Sequence, residues 1–272
     1  MTGRDSPEFS NDLGLQSPGN AAEDTAAKKA GEYMDVLGII GGLGPMATAV
    51  FIKKIIAMTD AKKDQEHIPI LIAHYPSIPD RTSYILGRSD ENPLPALIDA
   101  GALLKNAGVK SIAIPCVTAH YFMPKMRKKV SIPIMDGVRE TAEYLKENGF
   151  KNVGIMCTDG TRMSKIFNHE FKPFEIECIY PSDEGQQDVM SIIYDYVKAG
   201  EAVPRELFDR VSGELQESGA EIIILGCTEL SVAADEYLPD GRFLDVLDVM
   251  ARKCVSEYGK LKREYKNIIR EV

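Results

Sequence analysis

One short pattern occurs twice in this chain and limits the folds that the chain can adopt. Each copy begins at a turn glycine, runs through a short apolar stretch, and ends eight residues later at a cysteine. The first copy extends from Gly108 to Cys116 and the second from Gly219 to Cys227. A short β-branched run bounded by glycine is typical of a buried strand in a parallel sheet. The two copies therefore predict two related α/β units, each with a thiol at the end of a strand.

Strand and helix patterns alternate along the chain from residue 35 onward. The predicted strands are 35–40, 68–74, 111–115, 132–135, 152–156, 174–179, 221–225 and 242–244. The predicted helices are 46–58, 95–106, 138–148, 164–170, 186–199, 204–217 and 246–265. Alternation of this kind predicts parallel sheets that are covered by helices.

The repeat extends beyond the two cysteines. Asp136 follows Cys116 by twenty residues and Asp245 follows Cys227 by eighteen, each at the end of a predicted strand. We therefore expect an α/β protein of two pseudo-symmetric, Rossmann-like (flavodoxin-like) half-domains with parallel sheets. Because ligands of such sheets bind at the carboxyl ends of the strands, the active site is expected in the cleft between the halves.

The predicted organisation has three parts. Residues 1–34 are polar and lack any sustained periodicity, which predicts a disordered leader. Part of that leader, Ser6-Pro-Glu-Phe9, resembles a cloning scar and not a native segment. The first half-domain is predicted to comprise residues 35–131 plus 245–272, with the last helix packing back on it. The second is predicted to comprise residues 132–244.

Charge and composition argue against several classes of partner. A net charge of −9 disfavours nucleic acid and anionic membrane surfaces as partners. No apolar run approaches the roughly 18 residues of a membrane span. The five cysteines are odd in number and scattered, which is typical of free thiols in a reducing compartment, so a cytoplasmic location is expected. The spacing of the four histidines predicts no metal site.

The repeated cysteines suit acid–base chemistry at a carbon atom. The positive end of a helix that begins at a strand end favours the thiolate form of a cysteine there. Racemisation without a cofactor needs one base to remove the α-proton and an acid on the opposite face to return a proton. Cys116 and Cys227 provide such a pair if they face each other across the cleft. A single free cysteine is more often a buried apolar residue, but the matched spacing favours the functional interpretation.

A glycine-rich loop follows the first predicted strand. The stretch Gly42-Leu-Gly-Pro-Met-Ala47 is similar to a dinucleotide-binding fingerprint, which also needs an acidic residue about 20 positions later. The second predicted strand ends at His74-Tyr-Pro76, without such a residue. We therefore expect Gly42 and Leu43 to contribute backbone N–H groups to a substrate carboxylate, not to a nucleotide.

Five segments carry a resemblance to a known family. They are Gly41-Gly-Leu-Gly-Pro-Met46, Ile78-Pro-Asp-Arg-Thr82, Pro115-Cys-Val-Thr-Ala-His120, Val153-Gly-Ile-Met-Cys-Thr-Asp-Gly-Thr161 and Gly226-Cys-Thr-Glu-Leu230. Together with the first strand they resemble, in order over residues 36–260, the aspartate/glutamate racemase superfamily, and the aspartate racemase branch fits best.

This resemblance implies roles for particular residues. Cys116 and Cys227 would be the two acid–base residues, one for each enantiomer of a small acidic amino acid, with aspartate the expected substrate. Arg81 and Lys198 would bind the substrate carboxylates. The implied hydroxyl or amide donors are Thr118, Thr158, Thr161 and Thr228. The implied tuning residues beside the thiols are His120 and Glu229. The resemblance also implies a homodimer that needs no cofactor and no metal.

One position departs from the family pattern. The family usually has asparagine directly after the first cysteine, where it contacts the polar end of the substrate, but this chain has Val117. Two alternatives therefore stay open. The first is a related diacid isomerase or decarboxylase of the same superfamily. The second is a non-catalytic dicarboxylate-binding protein, although binding alone gives no reason for two thiols.

Overall fold

Two β-sheets organise the chain, and helices pack around them. The computed structural model describes residues 35–236 and 242–271, and the predicted leader at 1–34 lies outside this range. The strands are β1 (Leu37–Gly41), β2 (Ile70–His74), β3 (Ser111–Ala113), β4 (Asn152–Met156), β5 (Glu177–Ile179), β6 (Ile222–Leu225), β7 (Arg242–Asp245) and β8 (Arg270–Glu271).

The α-helices connect these strands. They are α1 (Pro45–Met58), α2 (Arg81–Ile85), α3 (Leu94–Asn106), α4 (Met123–Arg127), α5 (Gly137–Glu147), α6 (Asp159–Ser164), α7 (Ile166–Phe171), α8 (Asp183–Ser191), α9 (Arg205–Glu217), α10 (Thr228–Glu236) and α11 (Val246–Tyr258). Short 3-10 helices span Asp64–Glu66, Val117–Phe122, Lys172–Phe174 and Arg263–Lys266. A π-helical turn, Ile192–Val197, continues α8.

The first sheet has the order β2-β1-β3, and its strands are parallel. The central strand β1 is buried along its whole length, and Leu37 pairs with both Ile70 and Ser111. Burial of a central parallel strand explains why its sequence is continuously apolar. The glycine-rich loop therefore begins at the carboxyl edge of this sheet.

The second sheet has the order β5-β4-β6-β7-β8. Strands β4 to β7 are parallel, whereas β8 runs antiparallel to β7. The predicted α/β class with two parallel sheets is thus confirmed, with one antiparallel edge strand that the sequence analysis did not predict. Its two residues are too few to show a strand pattern.

The predicted strand at 132–135 is wrong as a strand. The segment forms one isolated parallel bridge, from Ile134 to Ile112 of β3. Pro133 lacks an N–H group, which limits the pairing of a strand that contains it. This bridge joins the segment to the first sheet, although the predicted boundary assigns it to the second half-domain. The boundaries of the two half-domains themselves stay a prediction.

Three predicted helices differ from the observed ones. The helix predicted at 164–170 is divided into α6 and α7 by Lys165, which has a left-handed φ of 53°. The helix predicted at 186–199 begins earlier, where Ser182 accepts a hydrogen bond from the Gly185 N–H, and changes to π geometry after Ser191. The last predicted helix ends at Tyr258 instead of 265, because Leu261 then pairs with Thr59.

The last helix, α11, packs against two other long helices. It lies against α1, as predicted, and also against α5. The two aspartates of the sequence repeat occupy equivalent positions: Asp136 caps α5 by accepting from the Arg139 N–H, and Asp245 caps α11 by accepting from the Leu247 N–H. A carboxylate at this position satisfies free N–H groups of the first helical turn. The repeat therefore extends to the local structure.

Candidate active site

A small cavity contains both of the repeated cysteines. Cys116 lies three residues beyond β3 and Cys227 two residues beyond β6, so the carboxyl ends of one strand from each sheet meet here. The thiol residues are 6% and 5% exposed, and both line this one small cavity. Its lining residues are Leu43, Asp80, Arg81, Thr82, Cys116, Val117, Thr118, Thr158, Tyr194, Lys198, Cys227, Thr228 and Glu229. Most of the predicted site residues are therefore brought together.

The Cys227 thiol has an acidic neighbour. Its Sγ donates a hydrogen bond to Glu229 Oε2 at 3.0 Å, and the Thr228 hydroxyl reaches the same oxygen at 3.3 Å. Burial and the adjacent carboxylate both raise the pKa of Cys227 well above its ordinary value. Both effects favour the protonated form of Cys227.

Glu229 in turn is paired with a lysine. Lys198 Nζ lies 2.9 Å from Glu229 Oε1. Burial alone would raise the pKa of Glu229, but Lys198 outweighs it and lowers the pKa below the ordinary value. Burial likewise disfavours the charged form of Lys198, and Glu229 outweighs it, so the pKa of Lys198 is raised. Both groups are therefore charged, and they form an ion pair at the cavity wall.

The position of Lys198 depends on the π-helical turn. Lys198 caps the end of Ile192–Val197, and its N–H bonds to Ile193 O at 3.1 Å. Such π turns occur mainly at functional sites, because the extra residue redirects the side chains that follow. The same turn presents Tyr194, whose ring centroid lies 5.2 Å from Lys198 Nζ.

The Arg81 guanidinium is held by backbone carbonyl groups. Nη1 donates to Ile78 O at 3.3 Å and to Pro79 O at 3.1 Å, and Nη2 donates to Leu43 O at 3.2 Å. Its Nε–H group is buried without a hydrogen-bond partner among the described residues. One donor thus stays free for a ligand carboxylate, while the other contacts fix the plane of the guanidinium.

Arg81 also lies against the Cys116 thiol. Burial disfavours the charged form of Arg81, but Cys116, Asp80 and Glu229 outweigh burial and raise its pKa. The cation therefore persists beside Cys116. The two thiols have opposite surroundings: a guanidinium beside Cys116 and a carboxylate beside Cys227.

Three predicted threonines form a hydroxyl cluster. Thr118 Oγ1 lies 3.1 Å from Thr158 Oγ1 and 3.0 Å from Thr161 Oγ1, and the latter two are 3.1 Å apart. Thr158 also caps α6 by accepting from the Thr161 N–H. Thr118 and Thr158 line the cavity, whereas Thr161 does not. The cluster gives the site hydroxyl groups that can turn between donor and acceptor roles.

Three predicted residues have positions that differ from the expectation. The N–H group of Gly42 donates to Thr48 Oγ1 at 2.9 Å, so it does not face the cavity as a carboxylate donor. Leu43 lines the cavity, and its carbonyl accepts from Arg81. His120 does not line the cavity, because its two ring nitrogens contact the carbonyl of Cys116 and the N–H of Gly137. The expectation for the Gly42 N–H is therefore wrong in this structure.

Three lining residues were not singled out by the sequence analysis: Asp80, Thr82 and Tyr194. Asp80 Oδ1 caps α2 through the Ser83 N–H, and its Oδ2 accepts from the Tyr194 hydroxyl at 3.4 Å. Burial raises the pKa of Tyr194 to about 12, so this hydroxyl keeps its proton. Tyr194 lies one helical turn before Lys198, and that spacing is the signal by which the sequence analysis could have found it.

Metal binding and membrane insertion receive no support from the part of the chain that the structure describes. Within 35–236 and 242–271, no group of three or more His, Cys, Asp or Glu side chains is arranged to hold a metal ion. None of the helices in those ranges is long and apolar enough to cross a bilayer.

Comparison with known proteins gives a consistent family. The family model described as Asp/Glu/Hydantoin racemase matches residues 40–254. A broad specificity amino-acid racemase, RacX of Bacillus subtilis, is 28% identical over 236 residues, which cover 82% of this chain and 98% of that protein.

Solved structures agree with this match. The aspartate racemase of Picrophilus torridus is 31% identical with a TM-score of 0.76, over 85% of this chain and 98% of that one. An aspartate racemase homologue from Pyrococcus horikoshii is 25% identical with a TM-score of 0.68, over 83% and 99%. The residues matched by the family model include every lining residue of the cavity that contains both thiols.

Proposed function

The chain belongs to the Asp/Glu/hydantoin racemase family, and we propose that it interconverts L- and D-aspartate by proton transfer between two thiols. The observation that carries this proposal is that Cys116 and Cys227 line one cavity together with Arg81 and Lys198. Two cations suit the two carboxylates of aspartate, and one thiol on each side suits the two faces of its α-carbon.

The opposite surroundings of the thiols suggest the direction of the first step. Cys116, which lies beside Arg81, acts as the base and takes the α-proton, and the electron pair of the broken C–H bond moves into the α-carboxylate. The Cys227 thiol then donates its proton to the opposite face of the carbon, which inverts the configuration. For the other enantiomer the two cysteines exchange roles.

The charges of the cavity support the difficult step of this reaction. Removal of an α-proton places negative charge on the substrate carboxylate. Arg81 is positioned before the reaction by three backbone carbonyls, so its orientation costs little at that moment. The proposed reaction needs no cofactor, because the thiols supply the proton transfer and the cations stabilise the charge. A cytoplasmic location and a homodimer stay predictions.

The proposal is tested by following the α-proton. Purified protein is incubated with L-aspartate or D-aspartate in D₂O, and deuterium incorporation and the opposite enantiomer are measured by NMR and chiral chromatography. We expect both aspartate enantiomers to racemise with uptake of solvent deuterium. Absence of exchange for aspartate would remove the aspartate assignment, and a parallel series with glutamate and neutral amino acids would then identify the substrate.

Single substitutions distinguish the roles of the two thiols. We expect Cys116→Ala and Cys227→Ala each to abolish racemisation while exchange persists for one enantiomer only, and for opposite enantiomers in the two variants. Cys254→Ala, at a buried cysteine that does not line the cavity, is the matched control and should keep racemisation. Full racemisation by either cavity variant would contradict the two-base mechanism.

Val117 gives a reason to test a second candidate function. Its apolar side chain lines the cavity at the position where the family usually has asparagine. An apolar wall there also suits a diacid without an amino group, the substrate of a related isomerase or decarboxylase. Turnover of maleate or of a substituted malonate in the absence of aspartate racemisation would favour this second candidate.

A further inference from the structure

We propose that His120 and Ser231 are equivalent positioning residues. His120 fixes the loop that bears Cys116 to the start of α5, and Ser231 fixes the loop that bears Cys227 to the start of α11. His120 lies four residues after Cys116, and Ser231 lies four residues after Cys227. The inference rests on the proposed two-thiol reaction for its catalytic meaning, but its structural part can be tested separately.

In the first half, the imidazole of His120 joins two backbone groups. His120 Nδ1 lies 3.0 Å from Cys116 O, and the Gly137 N–H donates to His120 Nε2 at 3.0 Å. Because Nε2 accepts, the proton of the neutral ring must be on Nδ1, which then donates to the carbonyl of Cys116. Gly137 is the first residue of α5, where helical N–H groups lack partners within the helix. One side chain therefore connects the peptide of Cys116 to the start of α5.

In the second half, a serine and an aspartate make the corresponding connection. The Ser231 N–H donates to Cys227 O at 3.3 Å, and its hydroxyl donates to Asp245 Oδ1 at 2.7 Å. The same carboxylate oxygen accepts from the Leu247 N–H at 2.8 Å, at the start of α11. The peptide of Cys227 is therefore connected to the start of α11 through Ser231 and Asp245.

The two connections correspond in detail. In both halves the cysteine carbonyl accepts from the N–H three residues later, Ala119 at 3.1 Å and Leu230 at 3.0 Å. In both halves the residue four positions after the cysteine also contacts that carbonyl, His120 through its ring and Ser231 through its backbone N–H. The side chain of each then reaches a helix start: His120 binds the Gly137 N–H beside Asp136, and Ser231 binds Asp245 itself. A histidine does this in one half and a serine–aspartate pair in the other, so the correspondence is one of geometry and not of residue type.

The two helix starts belong to one packed unit. Helices α5 and α11 lie against each other, and a Cβ added to Gly137 would meet Met250 Sδ of α11 at 2.5 Å. Glycine at this position thus permits the close approach of the two helices. Because α5 packs against α11, both thiol loops are connected to the same pair of helices.

Burial makes both connections specific. His120 is 2% exposed, and Ser231 and Asp245 are fully buried. Burial lowers the pKa of His120 and outweighs Asp136, which acts to raise it. The lowered pKa keeps the imidazole neutral and able to accept from the Gly137 N–H. Loss of the His120 side chain would leave the buried Gly137 N–H without its partner, and loss of the Ser231 hydroxyl would remove one of the two hydrogen bonds to Asp245 Oδ1, so in each case the loop that bears the thiol is expected to shift.

Site-specific alkylation tests this inference. We would treat the protein with iodoacetamide and follow modification of Cys116 and of Cys227 separately by peptide mass spectrometry, alongside kcat and KM for racemisation. His120→Leu is expected to change the alkylation rate of Cys116 several-fold and to leave that of Cys227 unchanged. Ser231→Ala is expected to do the reverse. Both variants should lower kcat, on the order of 10- to 100-fold, more than they raise KM.

Conservative variants and matched controls make the test decisive. His120→Asn keeps a donor for the Cys116 carbonyl and Ser231→Thr keeps the hydroxyl, so each should restore much of the original alkylation pattern. His169→Leu, at an imidazole that is 90% exposed, and Ser256→Ala on α11 should alter neither thiol. If His120→Leu does not fold, the alkylation rates of Cys116 in His120→Asn and in His120→Gln are compared instead. The Gln variant keeps only the acceptor for Gly137.

The outcomes separate this inference from the proposed function. Equal changes at both cysteines in both variants would mean general loosening of the fold and would overturn it, as would no change at either cysteine. If the unaltered protein racemises no amino acid, the proposed function fails, but the alkylation pattern still shows whether His120 and Ser231 position the two loops.

Discussion

The ammonium group of Lys198 lies 2.9 Å from a carboxylate oxygen of Glu229. A cation proposed to bind a substrate carboxylate therefore already has an anionic partner in the protein. A bound dicarboxylate would share Lys198 with Glu229 and would approach the Cys227 thiol, which donates to the same carboxylate. In the proposed reaction, we therefore expect substrate binding at this end of the cavity to be coupled to the protonation of Cys227.

Glu229→Gln tests this coupling. The pKa of Cys227 is raised by burial and by the Glu229 carboxylate, so removal of the negative charge should lower it. Because Cys227 donates only when protonated, the alkaline limb of the kcat/KM profile should move to lower pH. Activity at neutral pH should fall on the order of tenfold. The measurements are the pH–rate profile and thiolate absorbance in a Cys116→Ala background.

The control for this substitution is Glu257→Gln, an acid that is 44% exposed on α11 and pairs with Lys253. It should leave the profile unchanged. An unshifted alkaline limb in Glu229→Gln would mean that Glu229 does not set the protonation of Cys227.

Arg81→Lys is expected to lower kcat/KM on the order of 10- to 100-fold, although the charge is retained. A lysine ammonium cannot reach three backbone carbonyls and still present a planar donor edge to a carboxylate. The loss should be measured as racemisation kinetics together with the affinity for a non-reacting dicarboxylate. Arg88→Lys, at a side chain that is 63% exposed, serves as the control and should be near normal. Equal behaviour of the two variants would count against the role of Arg81.

The convergence of the thiols was predictable from sequence for a simple physical reason. Each cysteine follows a parallel strand and so lies at the carboxyl edge of its own sheet, where α/β sheets bind ligands, and the matched repeat predicted that the two edges face one cleft. The capping aspartates were visible as a repeat because each comes directly before a helix: Asp245 ends β7, and Asp136 follows the isolated bridge at Ile134. Local pattern and global fold agree at these positions.

Other features depend on contacts between distant parts of the chain. The Gly42 N–H is taken by Thr48, whose hydroxyl returns to the loop from α1, and nothing in the loop sequence indicates this. The pairing of Glu229 with Lys198 likewise follows from a π-helical turn that the apolar periodicity does not reveal. Side-chain partners of this kind are set by tertiary packing, so the sequence indicated the residues but not their partners.

Lys54→Met is expected to destabilise the fold strongly. Lys54 Nζ lies 2.6 Å from Asp248 Oδ1 and 3.2 Å from Asp245 Oδ2, in a buried cluster that Arg270 completes. Removing one member leaves carboxylate charge poorly compensated, which costs about 3–5 kcal/mol of unfolding free energy. Chemical denaturation measures the loss. Lys53→Met, at the exposed neighbouring position, should change the unfolding free energy by less than about 0.5 kcal/mol.

The contribution of Lys54 also has a defined pH dependence. Burial opposes its charge, but Asp245 and Asp248 outweigh burial and raise its pKa above the ordinary 10.5. A raised pKa means that the stabilisation is fully present below 10.5 and is lost as the pH rises through the higher folded-state value. The difference from Lys54→Met should therefore be constant through neutral pH and shrink only in strong alkali. A difference that shrinks near neutrality would contradict this assignment.

Val117→Asn is expected to change substrate preference at the cost of stability. Val117 is 2% exposed and lines the cavity. An amide buried there without partners should lower the unfolding free energy by about 1–3 kcal/mol, but a substrate with a polar side chain can pair with it. The ratio of kcat/KM for aspartate to that for alanine should therefore rise, because a site built to hydrogen-bond discriminates against a ligand that lacks the group. Val138→Asn, at a fully buried position on α5 outside the cavity lining, should destabilise the fold without altering that ratio. An unchanged ratio in Val117→Asn would show that this wall does not contact the side chain of the substrate.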